Sequence, residues 1–321
     1  MPSFAAMLRG LPLADVRKNA SRILDAGFPG LGLDHPFHAF QWEEVAAVLP
    51  RGSIVAVHLF LPYPNEVRPG AGCPFALGRL HPEEKRDALA QGRETILFAE
   101  RSSIPTILVP PVTLDDLRGE LQSKKPDLRQ EPVRERILGL RKAEAARRLD
   151  SLRSVLSRLL DESGRYAVRL AILPGGLLDE APNLEETAGI LKEFHGAPLV
   201  TCLDLLRTTI VEDIRASLLK FLEAVRGDCA GALLREGQDA QGAGSQGARP
   251  LGWEALRPVL EACPVWLADE SLTRQCGGLS ETLQFLEKLA VVPEPQVRPG
   301  GDSWLDRATF SRDSGQATPE R

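Results

Sequence analysis

The chain has 321 residues, of which 43% are hydrophobic and 26% charged, with a formal net charge of −5 and a pI near 5.7. That composition suits a globular core and excludes general disorder. Mild acidity excludes a chain drawn as a whole to nucleic acid, although it leaves room for a local basic patch.

Apolar runs stay shorter than the roughly 18 residues a membrane span needs, so none is expected. The N-terminus, Met1-Pro-Ser-Phe4, has no basic segment followed by an apolar run, which speaks against a signal peptide. The cysteines (Cys73, Cys202, Cys229, Cys263, Cys276) are odd in number and lack CxxC spacing. They read as reduced, mostly buried thiols of a cytoplasmic protein.

Short apolar runs alternate with longer amphipathic ones. Phe4 to Leu8 is a weak first strand, with a loose N-terminal arm as the alternative. Leu13 to Phe28 has helical spacing, with Val16, Ala20, Ile23, Leu24 and Phe28 on one side. Gly30 to Asp34 is a short strand, Gln41 to Leu49 a helix, and Ile54 to Phe60 a β-branched buried strand. After a loop rich in Pro and Gly (Leu61 to Leu80), Pro82 opens a long helix through Glu100. Thr106 to Val109 is a strand closed by Pro110-Pro111. Leu114 to Val133 is a polar stretch, and Lys124-Lys-Pro126 within it marks an exposed excursion.

Helix resumes near Arg134 and runs to about Arg165, its apolar face formed by Leu149, Leu152, Val155, Leu156, Leu159 and Leu160. Its basic start, from Arg134 to Arg148, is interleaved with glutamates and reads as a solvated face. Val168 to Leu173 is a strand. Asn183 to Phe194 is a helix opened by an Asn-x-x-Glu capping box. Strands at Leu199 to Asp204, Cys229 to Leu234 and Val265 to Ala268 alternate with helices at Val211 to Val225, Trp253 to Leu260 and Leu279 to Leu289.

Seven strands from Gly30 onward, plus the one near Phe4, make eight strand–helix units. Eight such units with right-handed crossovers close into a (β/α)8 TIM barrel. An open doubly wound sheet is the alternative, but no GxGxxG or P-loop motif follows an early strand. The expected domain is 1–292, with 293–321 as a disordered tail rich in Pro, Gly and Ser.

Several segments, taken in order, resemble the xylose-isomerase-like TIM barrels. They are Ala26-Gly-Phe-Pro-Gly-Leu-Gly-Leu33, Val57-His-Leu-Phe-Leu-Pro62 with Cys73 to Gly78 and Glu83 to Ala88, Arg148 to Arg153 through Leu170, Pro182 to Glu186, and Leu279 to Leu289. That group contains sugar isomerases and epimerases, apurinic-endonuclease-type nucleases and a branch similar to cobamide-remodelling phosphodiesterases, the closest in pattern. The resemblance implies a divalent metal at the C-terminal mouth, held by a Glu on the fifth strand, Asp and His near the sixth, His on the seventh and Glu on the eighth. Such a metal polarises a substrate oxygen or activates water.

The matching positions here depart from that set. Leu173 stands at the fifth strand, Arg207 at the sixth-strand His, and Leu233-Leu-Arg-Glu236 on the seventh, while Pro110 ends the fourth where many relatives have His. Asp204 remains, and Asp269 and Glu270 lie just past the eighth. No metal is expected; if one binds, Asp204 is its ligand.

His58, Asp204, Glu236 and Glu270 are the candidate catalytic residues. The plain alternatives are a hydrogen-bonded structural His58, Asp204 as an ion-pair partner of Arg207 or Arg235, and Glu236 and Glu270 as loop carboxylates. Arg207 and Arg235 are candidates for binding phosphate or carboxylate through a guanidinium fork, or else for pairing with Asp204 and Glu236. Gly175-Gly176 is either an anion cradle or a turn. Asp34, His35 and His38 have metal-ligand chemistry without a recognised pattern. The stretch from Glu236 to Ala248 is a lid or a flexible insertion.

Three functions are compatible with these residues. The first is a non-catalytic or small-molecule-binding barrel that has lost the metal and needs no cofactor. The second is a metal-dependent (Mn, Zn or Co) sugar isomerase, epimerase or phosphodiesterase with a rearranged site. The third is a metal-free binder of a phosphorylated or carboxylated small molecule. In each the partner is a small molecule, not a membrane.

Overall fold

Eight parallel strands hydrogen-bond in chain order and close on themselves. They are β1 (Ser3–Arg9), β2 (Gly30–Asp34), β3 (Ile54–His58), β4 (Thr106–Val109), β5 (Arg169–Ile172), β6 (Leu199–Leu206), β7 (Cys229–Arg235) and β8 (Val265–Ala268). The computed structural model describes residues 2–9, 16–34, 37–47, 49–63, 75–206, 210–236 and 251–291. The expected lid beyond Glu236, Arg207, His35 and the tail from 293 lie outside the described residues.

The weakly signalled first strand closes the barrel: it pairs with β2 on one side and with β8 on the other, Ala6 opposite Ala268. A closed sheet leaves no strand edge exposed. Around it lie α1 (Val16–Asp25), α2 (Ala39–Ala46), α3 (Pro82–Arg101), α4 (Asp115–Lys124), α5 (Glu131–Ser163), α6 (Leu184–Glu193), α7 (Glu212–Ala224), α8 (Arg257–Glu261), α9 (Glu270–Cys276) and α10 (Leu279–Ala290). The predicted apolar face of α5 is buried throughout. The capping box of α6 forms both its bonds, Glu186 N to Asn183 Oδ1 at 2.9 Å and Asn183 N to Glu186 Oε2 at 2.8 Å.

Three elements differ from the expectation. The polar stretch after Leu114 contains α4, a helix whose composition carries little amphipathic signal. Val112–Thr113 and Glu180–Ala181 form a small antiparallel ribbon over the barrel mouth. Residues 270–276, just past β8, form α9. The start of α5 also departs from a purely solvated face. Glu144 and Arg148 are buried there, and Glu144 accepts hydrogen bonds from the first-turn amides of α4, Asp116 N and Leu117 N.

The barrel has two cores. The larger lies between sheet and helices. The smaller fills the barrel interior and includes Ala56, Leu108, Ala171, Leu173, Val200, Cys202, Leu233 and Leu267. Side chains alternate along a strand. Counting two residues onward from these interior positions, toward the C-terminal ends, leads to His58 on β3, Asp204 on β6, Arg235 on β7 and Asp269 after β8. The pleat therefore puts these four polar side chains in one layer, on top of an apolar plug.

Candidate functional site

The C-terminal mouth holds a cavity of about 480 Å³ lined by Asp34, His58, Pro110, Pro111, Leu173, Pro174, Gly176, Leu177, Glu180, Asp204, Leu206, Leu233, Arg235 and Asp269. Chemistry on this fold sits at that end of the strands. Of the candidates named from sequence, His58, Asp204 and Arg235 meet here.

Glu236 and Glu270 do not line the cavity. Glu236 is buried, with its backbone N–H donating to Ser271 Oγ at 3.0 Å. Glu270 starts α9, pairs with Arg274 at 2.9 Å and borders a separate cavity beside α1. The structure also brings in Asp34, named from sequence only for its metal-ligand chemistry, and Asp269, noted just past the eighth strand. Alternation along β2 and β8 places both at the mouth: Asp34 falls two residues after Gly32, and Asp269 two after the interior Leu267. His38 is buried near Tyr63, with ring centroids 5.6 Å apart, and is not among the residues lining the mouth.

Arg235 organises the site. Its Nη1 donates to Asp204 Oδ2 at 2.9 Å, and its Nε lies 3.5 Å from Asp269 Oδ2. Ser271 Oγ donates to the same Asp269 oxygen at 3.1 Å. Burial alone would lower the guanidinium pKa, but the Asp204 charge and hydrogen bond, with Asp269 and Asp34 behind them, raise it above its ordinary value. Arg235 is therefore a permanent cation between two carboxylates. Burial pushes Asp204 above the usual carboxylate range, against the pull of Arg235. Its Oδ1 is buried without a hydrogen-bond partner among the described residues.

His58 ends β3, where the chain turns sharply. Buried Phe60 has φ 74°, and the Gln91 side-chain amide from α3 pins this turn by donating to Phe60 O at 3.2 Å and Pro62 O at 3.0 Å. Strained backbone held this way concentrates at functional sites. His58 Nε2 lies 3.4 Å from Asp34 Oδ1. Burial holds the imidazole pKa below 6.5, with Asp34, Asp204 and Asp269 opposing that shift and Arg235 adding to it. The ring is neutral at neutral pH, and Asp34, an acceptor, favours the tautomer with the proton on Nε2.

This predicts a pH signature. As pH falls, an unfolded His58 takes up its proton at 6.5, before the folded one does. Its contribution to stability is thus complete above 6.5 and declines through the window between 6.5 and the folded value. His58→Gln should flatten the stability–pH curve in that window, measured by urea unfolding at stepped pH. An unchanged slope would show that His58 keeps its ordinary pKa.

The second candidate anion receptor is also filled from within. Glu180 Oε2 accepts from Gly176 N at 3.0 Å and Leu177 N at 3.1 Å. The Gly175-Gly176 turn therefore closes on the protein's own carboxylate.

The metal implied by the resemblance does not fit these residues. Hard or borderline divalent ions need several carboxylate or imidazole donors converging on one point. Among the described residues no group of three or more His, Cys, Asp or Glu is placed to share an ion. Leu173 offers no donor, and Asp204 and Asp269 converge on Arg235 instead.

The sequence matches no protein-family model, and comparison with curated proteins finds no match. Solved structures do match in fold. A D-tagatose 3-epimerase-like protein superposes with TM-score 0.58 at 12% identity, covering 90% of this chain and 97% of its own. The 3-keto-D-glucoside 4-epimerase of E. coli gives 0.57 at 16%, covering 90% and 100%. A family 2 AP endonuclease from Brucella melitensis gives 0.56 at 16%, covering 90% and 99%. The chain thus shares the (β/α)8 barrel fold of these proteins. Among the described residues no helix is long and apolar enough to cross a membrane.

Proposed function

We propose that the barrel mouth binds a small, neutral, hydroxylated molecule of the sugar or polyol class, and does so without a divalent metal. The observation that carries this reading is the Arg235 guanidinium held between Asp204 and Asp269. It provides the positive charge around which the carboxylates are arranged. Fixed hydrogen-bonding groups above an apolar wall suit a ligand with hydroxyls on its edges and C–H groups on its face. Pro110, Pro111, Leu173, Pro174 and Leu233 supply the wall. The buried Asp204 Oδ1 is an acceptor that a ligand hydroxyl would satisfy.

Charge selects against the phosphorylated or carboxylated alternative. Four lining carboxylates, of Asp34, Glu180, Asp204 and Asp269, face one lining guanidinium among the described residues. Among the described residues, both groups suited to receive an anion, Arg235 and the Gly176–Leu177 amides, are already engaged by carboxylates.

The structural neighbours include enzymes named for tagatose and psicose epimerisation, so the ketohexoses are the first ligands to try. Calorimetric titration in the presence of EDTA should show a neutral ketohexose binding at least about tenfold more tightly than its phosphate ester, the scale of a few like-charge contacts. Binding only after Mn²⁺ addition, or tighter binding of the phosphate, would defeat the proposal.

One observation favours a second reading, turnover. The neutral His58 ring oriented by Asp34 has the form of a general base. If it acts, the chain exchanges a ligand C–H proton with solvent, and NMR in D₂O would show deuterium entering the sugar, abolished in His58→Gln. No incorporation with a ligand that binds leaves the barrel a binding protein.

A further inference from the structure

At the opposite end of β7 and β8 lies a feature unrelated to the mouth. Cys229 opens β7, and Cys263 comes two residues before β8. Their sulfurs are 3.6 Å apart. The register that pairs Trp266 with Ala232, extended three residues back, sets Cys263 beside Cys229. Neighbouring strands run about 4.8 Å apart, within the Cα separation a disulfide spans.

Gly231 tightens this contact, because a Cβ there would sit 2.5 Å from Val265 O. Cys263 is fixed from the other side. The Trp266 indole N–H is shared between Cys263 O at 3.0 Å and Leu260 O at 3.1 Å, and Cys263 itself is buried. Cys229 is half-buried and is the reachable partner of the two.

We propose that Cys229 and Cys263 are a redox-active dithiol that a low-molecular-weight disulfide, such as glutathione disulfide, converts to an intramolecular disulfide. The Cys229 thiolate attacks one sulfur of the small disulfide. A mixed disulfide forms and one glutathione leaves as thiolate. Cys263 then gives up its proton and attacks Cys229 Sγ, forming the protein S–S bond and expelling the second glutathione. Two cysteine thiols are oxidised, one small disulfide is reduced to two thiols, and the two protons pass to the departing thiolates.

The order follows from the local chemistry. Cys229 is half-buried and Cys263 buried, so the small disulfide reaches Cys229 first. Either sulfur can donate in the bond between them, and that contact lowers the Cys229 pKa and raises that of Cys263. Nearby Cys202 is wholly buried and its pKa is raised by that burial, so it is a poor competitor. The bond would staple the same two strands that carry Arg235 and Asp269 at their other ends.

The test is to incubate the full-length chain with glutathione disulfide under native conditions and map its peptides without reduction. A linked Cys229–Cys263 peptide is expected, with a thermal midpoint raised by about 5 °C, the scale of closing a loop of this length, and reversed by dithiothreitol. Cys263→Ser should stop at a glutathione adduct on Cys229, and Cys229→Ser should give neither product. A stable adduct on Cys229 in the wild-type chain, a bond to another cysteine, or no reaction at Cys229 overturns the proposal. The wild-type map decides by itself if either serine variant fails to fold.

Discussion

Arg235→Met should destabilise the protein by about 1–2 kcal/mol at neutral pH, and adding Asp204→Asn should recover most of that loss. Breaking a fully buried ion pair costs about 3–5 kcal/mol because the abandoned charge stays desolvated. The Arg235 side chain is 41% exposed, so solvent screening reduces the figure. What remains is the repulsion among Asp34, Asp204 and Asp269 once their shared cation is gone. Asp204, already raised by burial, would then rise further. The native state would take up a proton that the unfolded chain does not. The variant's deficit should therefore shrink as pH falls through the new Asp204 value.

Urea unfolding of the wild type, both single variants and the double variant gives the coupling directly. Additive losses would show that Arg235 and Asp204 do not depend on each other, and the account of the mouth as a cation-centred cluster would fail.

That cluster also fixes what the mouth can recognise. Asp204 and Asp269 spend one oxygen each on Arg235, Asp34 turns toward His58, and Glu180 closes its own turn. The polar groups are mutually oriented before any ligand arrives. A ligand then pays little for organising them, the condition under which a few hydrogen bonds to a neutral molecule give useful affinity.

The fold was legible because most of the buried strands are short β-branched or leucine-rich runs between amphipathic helices, with β1, Ser3-Phe-Ala-Ala-Met-Leu-Arg9, the weak exception. The Asn183–Glu186 box announced α6 by local chemistry alone. The misses have physical causes. Residues 115–124 form a helix because Glu144, from α5, caps its first turn, a tertiary contact that leaves no local periodicity. Asp34, Asp204, Arg235 and Asp269 come from four strands spread over the chain, and only the pleat and the closure of the barrel bring them together. A register reading of strand ends reaches His58, Asp204 and Arg235. The same reading turns Glu236, one residue further on, away from the mouth, because a shift of one residue reverses the face. Arg235 beside Asp204 was foreseeable as an ion pair; Asp269 joins them because β8 lies next to β7 in the closed sheet, a pairing that only the fold supplies.

Glu144→Ala should be the most damaging single change outside the apolar core, at about 3 kcal/mol. Glu144 is 3% exposed. It accepts Leu117 N at 2.9 Å and Asp116 N at 3.2 Å, two of the four amides a helix start leaves unpaired. It also lies 3.5 Å from Arg148, whose buried guanidinium pairs with Asp115 at 2.9 Å and donates to Gly78 O at 3.4 Å. Truncation leaves two helix amides without an acceptor and shifts the whole Arg148 charge onto the half-exposed Asp115. Since α4 begins just past the Pro110-Pro111 wall, its first turn should loosen with it. Hydrogen exchange at the Asp116 and Leu117 amides should accelerate ahead of the barrel strands, and Glu144→Gln, which keeps one acceptor oxygen, should lose roughly half as much stability. Unfolding free energies within about 0.5 kcal/mol of wild type for Glu144→Ala would mean that water replaces the carboxylate at the α4 terminus, and that this helix stands without α5.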